Sequence, residues 1–168
     1  MENPYVLLET SEGDILIELY PDRSPKTVEN FLHYVDDGHY DETIFHRIVR
    51  GFVIQGGGYT RDLQKKPTRE PIINEADNGL LNHKGTVAMA RALERDSACD
   101  EFFINAEDNP DLDHQDQTDE GFGYAVFGSV VDGMNIVKKI NWKITKARDG
   151  FDNLPVDTIS ISSIRRFS

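Results

Sequence analysis

The chain predicts a mostly β domain, an antiparallel barrel or sandwich closed by two helices. Three observations point there: many short apolar strands between turn residues, only two amphipathic helical stretches, and a length of 168 residues. That length buries one sizeable core and falls short of two ordinary domains, so the expectation is a single domain over 1–168.

Each element has its own local signal. Tyr5 to Thr10 and Asp14 to Tyr20 read as strands joined across Ser11-Glu12-Gly13; Ile15, Ile17 and Leu19 alternate with polar neighbours, and Leu16 breaks the pattern. Ser24 suits a helix N-cap, Pro25 the first helical position, and Val28, Phe31, Leu32 and Val35 recur at helical spacing until Gly38. A glycine- and charge-rich connection, about 56–82, leads to short strands near Thr86–Ala90 and Phe102–Asn105. After an acidic loop, Glu107–Gly121, an apolar strand spans Tyr124 to Val130. Asp132 suits the cap of a second helix carrying Met134, Ile136, Val137 and Ile140. A last strand, Thr158 to Phe167, alternates Ile159 and Ile161 with serines.

The run Phe45-His46-Arg47-Ile48-Val49-Arg50-Gly51-Phe52-Val53-Ile54-Gln55-Gly56-Gly57-Gly58 carries the chemistry. It reads as a hairpin with one arginine and one glutamine on opposite strands. A two-residue loop, Arg50-Gly51, puts Arg47 opposite Ile54 and leaves Gln55 on the other face. A three-residue loop, Arg50-Gly51-Phe52, sets Arg47 opposite Gln55, with Phe45, Val49 and Val53 on the same face. Pattern alone leaves both registers open. A cation and an amide beside apolar residues, without an obvious nucleophile, suit a reaction that shifts charge and geometry while breaking no bond.

Composition removes several classes. A net charge of −12 argues against nucleic acid, whose phosphates need clustered Lys and Arg. The single cysteine, Cys99, allows no internal disulfide and fits a reducing compartment. Met1 to Thr10 carries neither a basic leader nor a long apolar run, so the expectation is a soluble cytoplasmic protein with no membrane partner. Between Glu94 and Glu120 lie eleven acidic residues against Arg95 alone, an acidic rim suited to basic substrates. His114 sits among Asp111, Asp113 and Asp116, but this register lacks the position-six glycine and position-twelve glutamate of a calcium loop, and no metal is expected.

Taken together, Phe45 to Gly57, Met89-Ala90, Phe102-Phe103-Ile104-Asn105, Val126-Phe127-Gly128 and the helix start Ser24 to Phe31 resemble the cyclophilins across nearly the whole chain. The short connection at about 60–82 and Gly123-Tyr124 resemble the bacterial cytoplasmic type. The resemblance implies an eight-stranded antiparallel β-barrel capped by two α-helices, and peptidyl-prolyl cis-trans isomerase (rotamase) activity that assists protein folding without a cofactor. It implies a monomer acting on proline-containing peptides and unfolded or partly folded proteins. It places Arg47 as the catalytic arginine, with Gln55 holding substrate. Phe52, Val53, Phe103 and Leu112 become the walls of the proline pocket, and Ala90, Arg91 and Ala92 the segment that hydrogen-bonds substrate backbone. Tyr124 stands where many eukaryotic members carry histidine. It also favours the three-residue hairpin loop.

Two positions depart from the family pattern. Glu101 replaces a glutamine, and the expectation is an ion pair with Arg47. Asp111 replaces an aromatic before Leu112, which removes apolar wall and predicts weak cyclosporin binding. The rival function is a proline-peptide-binding or chaperone module with little turnover.

Overall fold

The computed structural model describes residues 2–168; Met1, the first residue read for a leader, lies outside them. Eleven strands and two α-helices occur among the described residues. They are β1 (Tyr5–Thr10), β2 (Gly13–Leu19), α1 (Pro25–Asp36), β3 (Thr43–Ile44), β4 (Arg47–Val49), β5 (Val53–Gly56) and β6 (Thr86–Met89). Then follow β7 (Phe102–Asn105), β8 (Val126–Asp132), α2 (Met134–Asn141), β9 (Thr145–Arg148), β10 (Phe151–Pro155) and β11 (Ser160–Phe167).

Nine strands form one antiparallel sheet in the order β3-β11-β1-β2-β8-β6-β7-β5-β4. Its two edges, β3 and β4, are separated in the chain only by Phe45-His46, so the sheet curls round on itself. Counted as one interrupted strand, they bring the barrel to the expected eight. The interruption also resets the alternation of side chains. Phe45 therefore turns into the core beside Phe102, centroids 6.3 Å apart, and does not share the Arg47 face as strict alternation would have it.

Period two explains how one sheet serves two purposes. On β7, Phe102 and Ile104 enter the central core while Phe103 faces the other side. Val87 and Met89 of β6 point inward and Ala88 outward; Ile54 of β5 points inward and Val53 outward. The outward set, Val53, Ala88, Phe103 and Val126, is itself buried beneath Phe52, Leu80, Leu112 and Tyr124. This second small core on the sheet's outer face is the floor of the site.

The helices close the main core. α1 buries Val28, Phe31, Tyr34 and Val35, with Phe31 packed on Tyr40, Phe102 and Phe127 at 5.3, 5.7 and 5.0 Å. Ser24 occupies the N-cap position, but its hydroxyl donates to the Val126 carbonyl, and the Glu75 carboxylate accepts the N–H groups of Lys26 and Thr27 instead. The C-terminus closes as a Schellman motif, Gly38 to Val35 and His39 to Tyr34. In α2, Val137 and Ile140 join the same core. Its N-cap is Gly133; Asp132, expected there, ends β8, because the strand runs two residues longer than the apolar pattern.

Candidate active site

The hairpin register settles in favour of the three-residue loop: Arg47 pairs with Gln55, Ile48 with Ile54 and Val49 with Val53. Gly51 adopts φ +73°, which glycine reaches without penalty, and Phe52 N–H closes the turn on the Val49 carbonyl at 3.0 Å. Asn141 of α2 anchors the loop: its Oδ1 accepts from Gly51 N–H at 2.9 Å and its Nδ2 donates to the Val49 carbonyl at 3.0 Å.

Arg47 and Gln55 stand at one wall of a cavity of about 420 Å³. Phe52 and Val53 from the same hairpin, Phe103 from β7 and Leu112 form its apolar lining, and Ala90, Arg91 and Tyr124 complete it. Phe103 and Tyr124 meet edge to face at 5.7 Å. Two expected site residues lie outside the lining. Glu101 is behind Gln55. Ala92 directs its N–H to Ser97 Oγ at 2.9 Å, while its carbonyl accepts from Arg91. Asp111 is exposed in a 3₁₀ turn, Pro110–Leu112, and contributes no wall.

The expected Arg47–Glu101 ion pair does not form. Arg47 Nη1 donates to Gln55 Oε1 at 3.1 Å, Gln55 Nε2 donates to Glu101 Oε1 at 3.0 Å, and the same carboxylate oxygen lies 3.2 Å from His46 Nε2. The amide stands between the two charges because it pairs directly across from Arg47 and is also opposite Phe103 on β7. Burial alone raises the Glu101 pKa. The hydrogen bond and charge of His46, the Gln55 hydrogen bond and Lys65 outweigh it and hold the carboxyl below its ordinary value.

Arg91 serves the site as a brace. Its guanidinium lies 4.6 Å over the Tyr124 ring and donates to the carbonyls of Ala92, Leu93, Asp119 and Gly123. It thus ties the acidic loop to the segment after β6.

Sequence reasoning missed a buried asparagine network beneath the apolar wall. Asn105 Nδ2 donates to Asn82 Oδ1 at 3.0 Å and Thr86 Oγ1 at 2.9 Å, and its Oδ1 accepts from Asn109 Nδ2 at 2.8 Å. Asn109 Nδ2 also reaches the Phe52 carbonyl at 3.0 Å, and Asn82 Nδ2 the Leu112 carbonyl at 3.2 Å. Two pocket walls are therefore held by side-chain amides. The one available signal was the polar Asn105 ending an apolar run.

Two of the three carboxylates near His114 are engaged in loop structure, Asp113 accepting from Asn82 N–H and Asp116 from Thr118 N–H, while Asp111 is exposed. Among the described residues no group of three or more His, Cys, Asp or Glu side chains could hold a metal ion, and no helix is long and apolar enough to cross a membrane.

Residues 5–166 match the family described as cyclophilin type peptidyl-prolyl cis-trans isomerase/CLD. The chain is 51% identical over 160 residues to peptidyl-prolyl cis-trans isomerase cyp18 of Streptomyces antibioticus, covering 95% of this chain and 96% of that protein. It is 45% identical over 159 residues to peptidyl-prolyl cis-trans isomerase B of Escherichia coli, covering 95% and 97% respectively. The fold is similar to a crystal structure of a Cryptosporidium parvum cyclophilin-type isomerase, with TM-score 0.81, 26% identity and coverage of 99% and 98%. The same protein solved in the presence of the dipeptide Ala-Pro gives TM-score 0.80 at 26% identity, covering 98% of this chain and 99% of that one. The family match and these relatives agree over nearly the whole chain, in sequence as in fold, and the chain belongs to the cyclophilin-type peptidyl-prolyl cis-trans isomerases.

Proposed function

We propose that Arg47 drives isomerisation by donating a hydrogen bond to the prolyl nitrogen in the twisted transition state. The observation that carries this is the convergence of Arg47, Gln55 and an apolar wall in one cavity. An Xaa–Pro bond resists rotation because resonance gives its C–N bond double-bond character, a barrier of about 18–20 kcal/mol. At the twisted midpoint that resonance is lost, and the nitrogen becomes pyramidal and regains a basic lone pair. A donor aimed there binds the transition state better than either ground state, which lowers the barrier.

Arginine suits this because it stays protonated and its planar fork can be fixed by a neighbour, here Gln55. Phe52, Val53, Phe103 and Leu112 seat the pyrrolidine ring. Backbone groups near Ala90 and Arg91, with Gln55 and Tyr124, hold the flanking peptide so that only one side of the amide turns. Ala92 and Glu101 act at one remove. The substrates are proline-containing peptides and incompletely folded proteins, handled by a single cytoplasmic domain working as a monomer. Exposed Asp111 in place of an aromatic wall makes cyclosporin binding weak. The rival, peptide holding without turnover, is separated by NMR exchange on an Xaa-Pro peptide. Accelerated cis–trans exchange supports catalysis, and saturable binding with uncatalysed exchange rejects it.

A further inference from the structure

We propose that Glu101 is a positioning residue: clamped by His46, its carboxylate locks the Gln55 amide in one orientation and through it aims the Arg47 guanidinium. The inference rests on the role assigned to Arg47 above and adds the element that fixes it.

Donor and acceptor chemistry carries the argument. A carboxylate only accepts hydrogen bonds and a guanidinium only donates them. An amide between the two can satisfy both in one way alone: Nε2 toward Glu101, at 3.0 Å, and Oε1 toward Arg47, at 3.1 Å. A flipped amide would set donor against donor and acceptor against acceptor. A neutral residue at 101 with both donor and acceptor atoms would impose no such direction from its own side.

The carboxylate is itself fixed on several sides. His46 Nε2 lies 3.2 Å from Glu101 Oε1, and this nitrogen carries the hydrogen, since a carboxylate has none to give. His46 is only 6% exposed, covered by Tyr59 at 4.7 Å and Phe151 of β10 at 5.9 Å. Its Nδ1 is buried without a partner among the described residues, so no second hydrogen bond turns the ring away from Glu101. Backbone pairing holds the residue too, through Ala90 N–H on the Glu101 carbonyl at 3.0 Å. At Gly58 a Cβ would come within 2.5 Å of Glu101 Cγ, so a glycine there leaves the side chain its room. Among the remaining charged groups, Lys65 lowers the Glu101 pKa through space, and Asp100 is turned away to His39 at 2.8 Å.

The test measures turnover of an Xaa-Pro peptide and unfolding midpoints for Glu101→Leu, Glu101→Gln, Arg47→Ala and the double variant R47A/E101L. Leucine removes the acceptor, and the expected loss is about five- to tenfold in kcat, less than the roughly 10–100-fold worth of a hydrogen bond to a charged group because Glu101 acts only through Arg47. In the Arg47→Ala background the same change should cost nothing further, because Glu101 acts through the arginine. Glutamine keeps an accepting oxygen but can also turn a donor toward Gln55, so it should recover only part of the loss. Wild-type turnover in Glu101→Leu, or an equal loss in both backgrounds, overturns the proposal. Wild-type turnover in Arg47→Ala would instead overturn the role of the arginine itself. If Glu101→Leu fails to fold, the wild-type Gln55 side-chain amide decides by NMR. Proton signals that stand apart and move as Glu101 titrates in acid support the lock. Signals at free-glutamine positions throughout overturn it.

Discussion

Arg47 Nη1 donates to Gln55 Oε1 at 3.1 Å between residues directly opposite each other on β4 and β5. Gln55 is the one hydrogen-bond partner of the Arg47 side chain among the described residues, so the hairpin register decides where the cation points. That register depends on Gly51.

Gly51→Val is accordingly expected to lower stability by about 1–2 kcal/mol, since φ +73° is strained for a β-branched residue. A Cβ at this position meets nothing within 4 Å, so the cost is backbone conformation alone. Gly51→Asn, which tolerates positive φ, should retain most stability and turnover. Urea titration with a peptide assay on both variants checks this; equal losses would place the constraint elsewhere.

Asn105→Ala should cost about 1–3 kcal/mol, because it strands buried groups on Asn82, Thr86 and Asn109. Turnover should fall with it, through a loosened Phe52 carbonyl and pocket wall. Denaturant unfolding and NMR shifts of Phe52 and Leu112 report the two effects. An undisturbed pocket would show the network to be dispensable.

How much of this was legible in the sequence depends on what each feature leaves behind in residue types. The first two strands and α1 announced themselves by period and by Pro25. The strand Phe102-Phe103-Ile104 hid its two faces because both are buried, one in the barrel and one under the site. The β9–β10 hairpin was overlooked, although Asp149-Gly150 carried its signature: both residues have positive φ, 52° and 87°, as a type I′ turn requires. Its strands lack alternation, since β9 is mostly exposed. The side-chain cluster at Arg47 was legible by residue type. The Gln55 bridge and the asparagine network were not, because hydrogen bonds between distant side chains leave no period.

The lowered Glu101 pKa sets a pH dependence of stability with a definite sign. A carboxyl whose folded value lies below its ordinary 4.5 contributes stability that is complete above 4.5 and is lost as pH falls through the folded value. Wild type should therefore gain stability over Glu101→Gln as pH rises from 3 to 6, and the gap should close in acid. Paired urea titrations across that range measure it. A gap that stays constant with pH would mean the carboxylate has no folded-state partner.

The acidic stretch Glu94–Glu120 borders the site through Leu112. Peptides with Lys or Arg beside the proline should bind more tightly than acidic ones at low salt, and the advantage should shrink as ionic strength rises past about 0.1 M. KM across a peptide series at two salt concentrations reads this directly. Equal KM values at low salt would remove the rim from substrate choice.

The most direct test of the central claim is turnover of an Xaa-Pro peptide by Arg47→Ala and Arg47→Lys, resolved into kcat and KM. Losing a charge-assisted hydrogen bond made only at the twisted midpoint predicts kcat down by about 10–100-fold in Arg47→Ala, with little change in KM. Lysine, a point charge without the planar fork, should recover only part of it. An unchanged kcat with a raised KM would show that Arg47 merely holds the substrate, and would contradict the account.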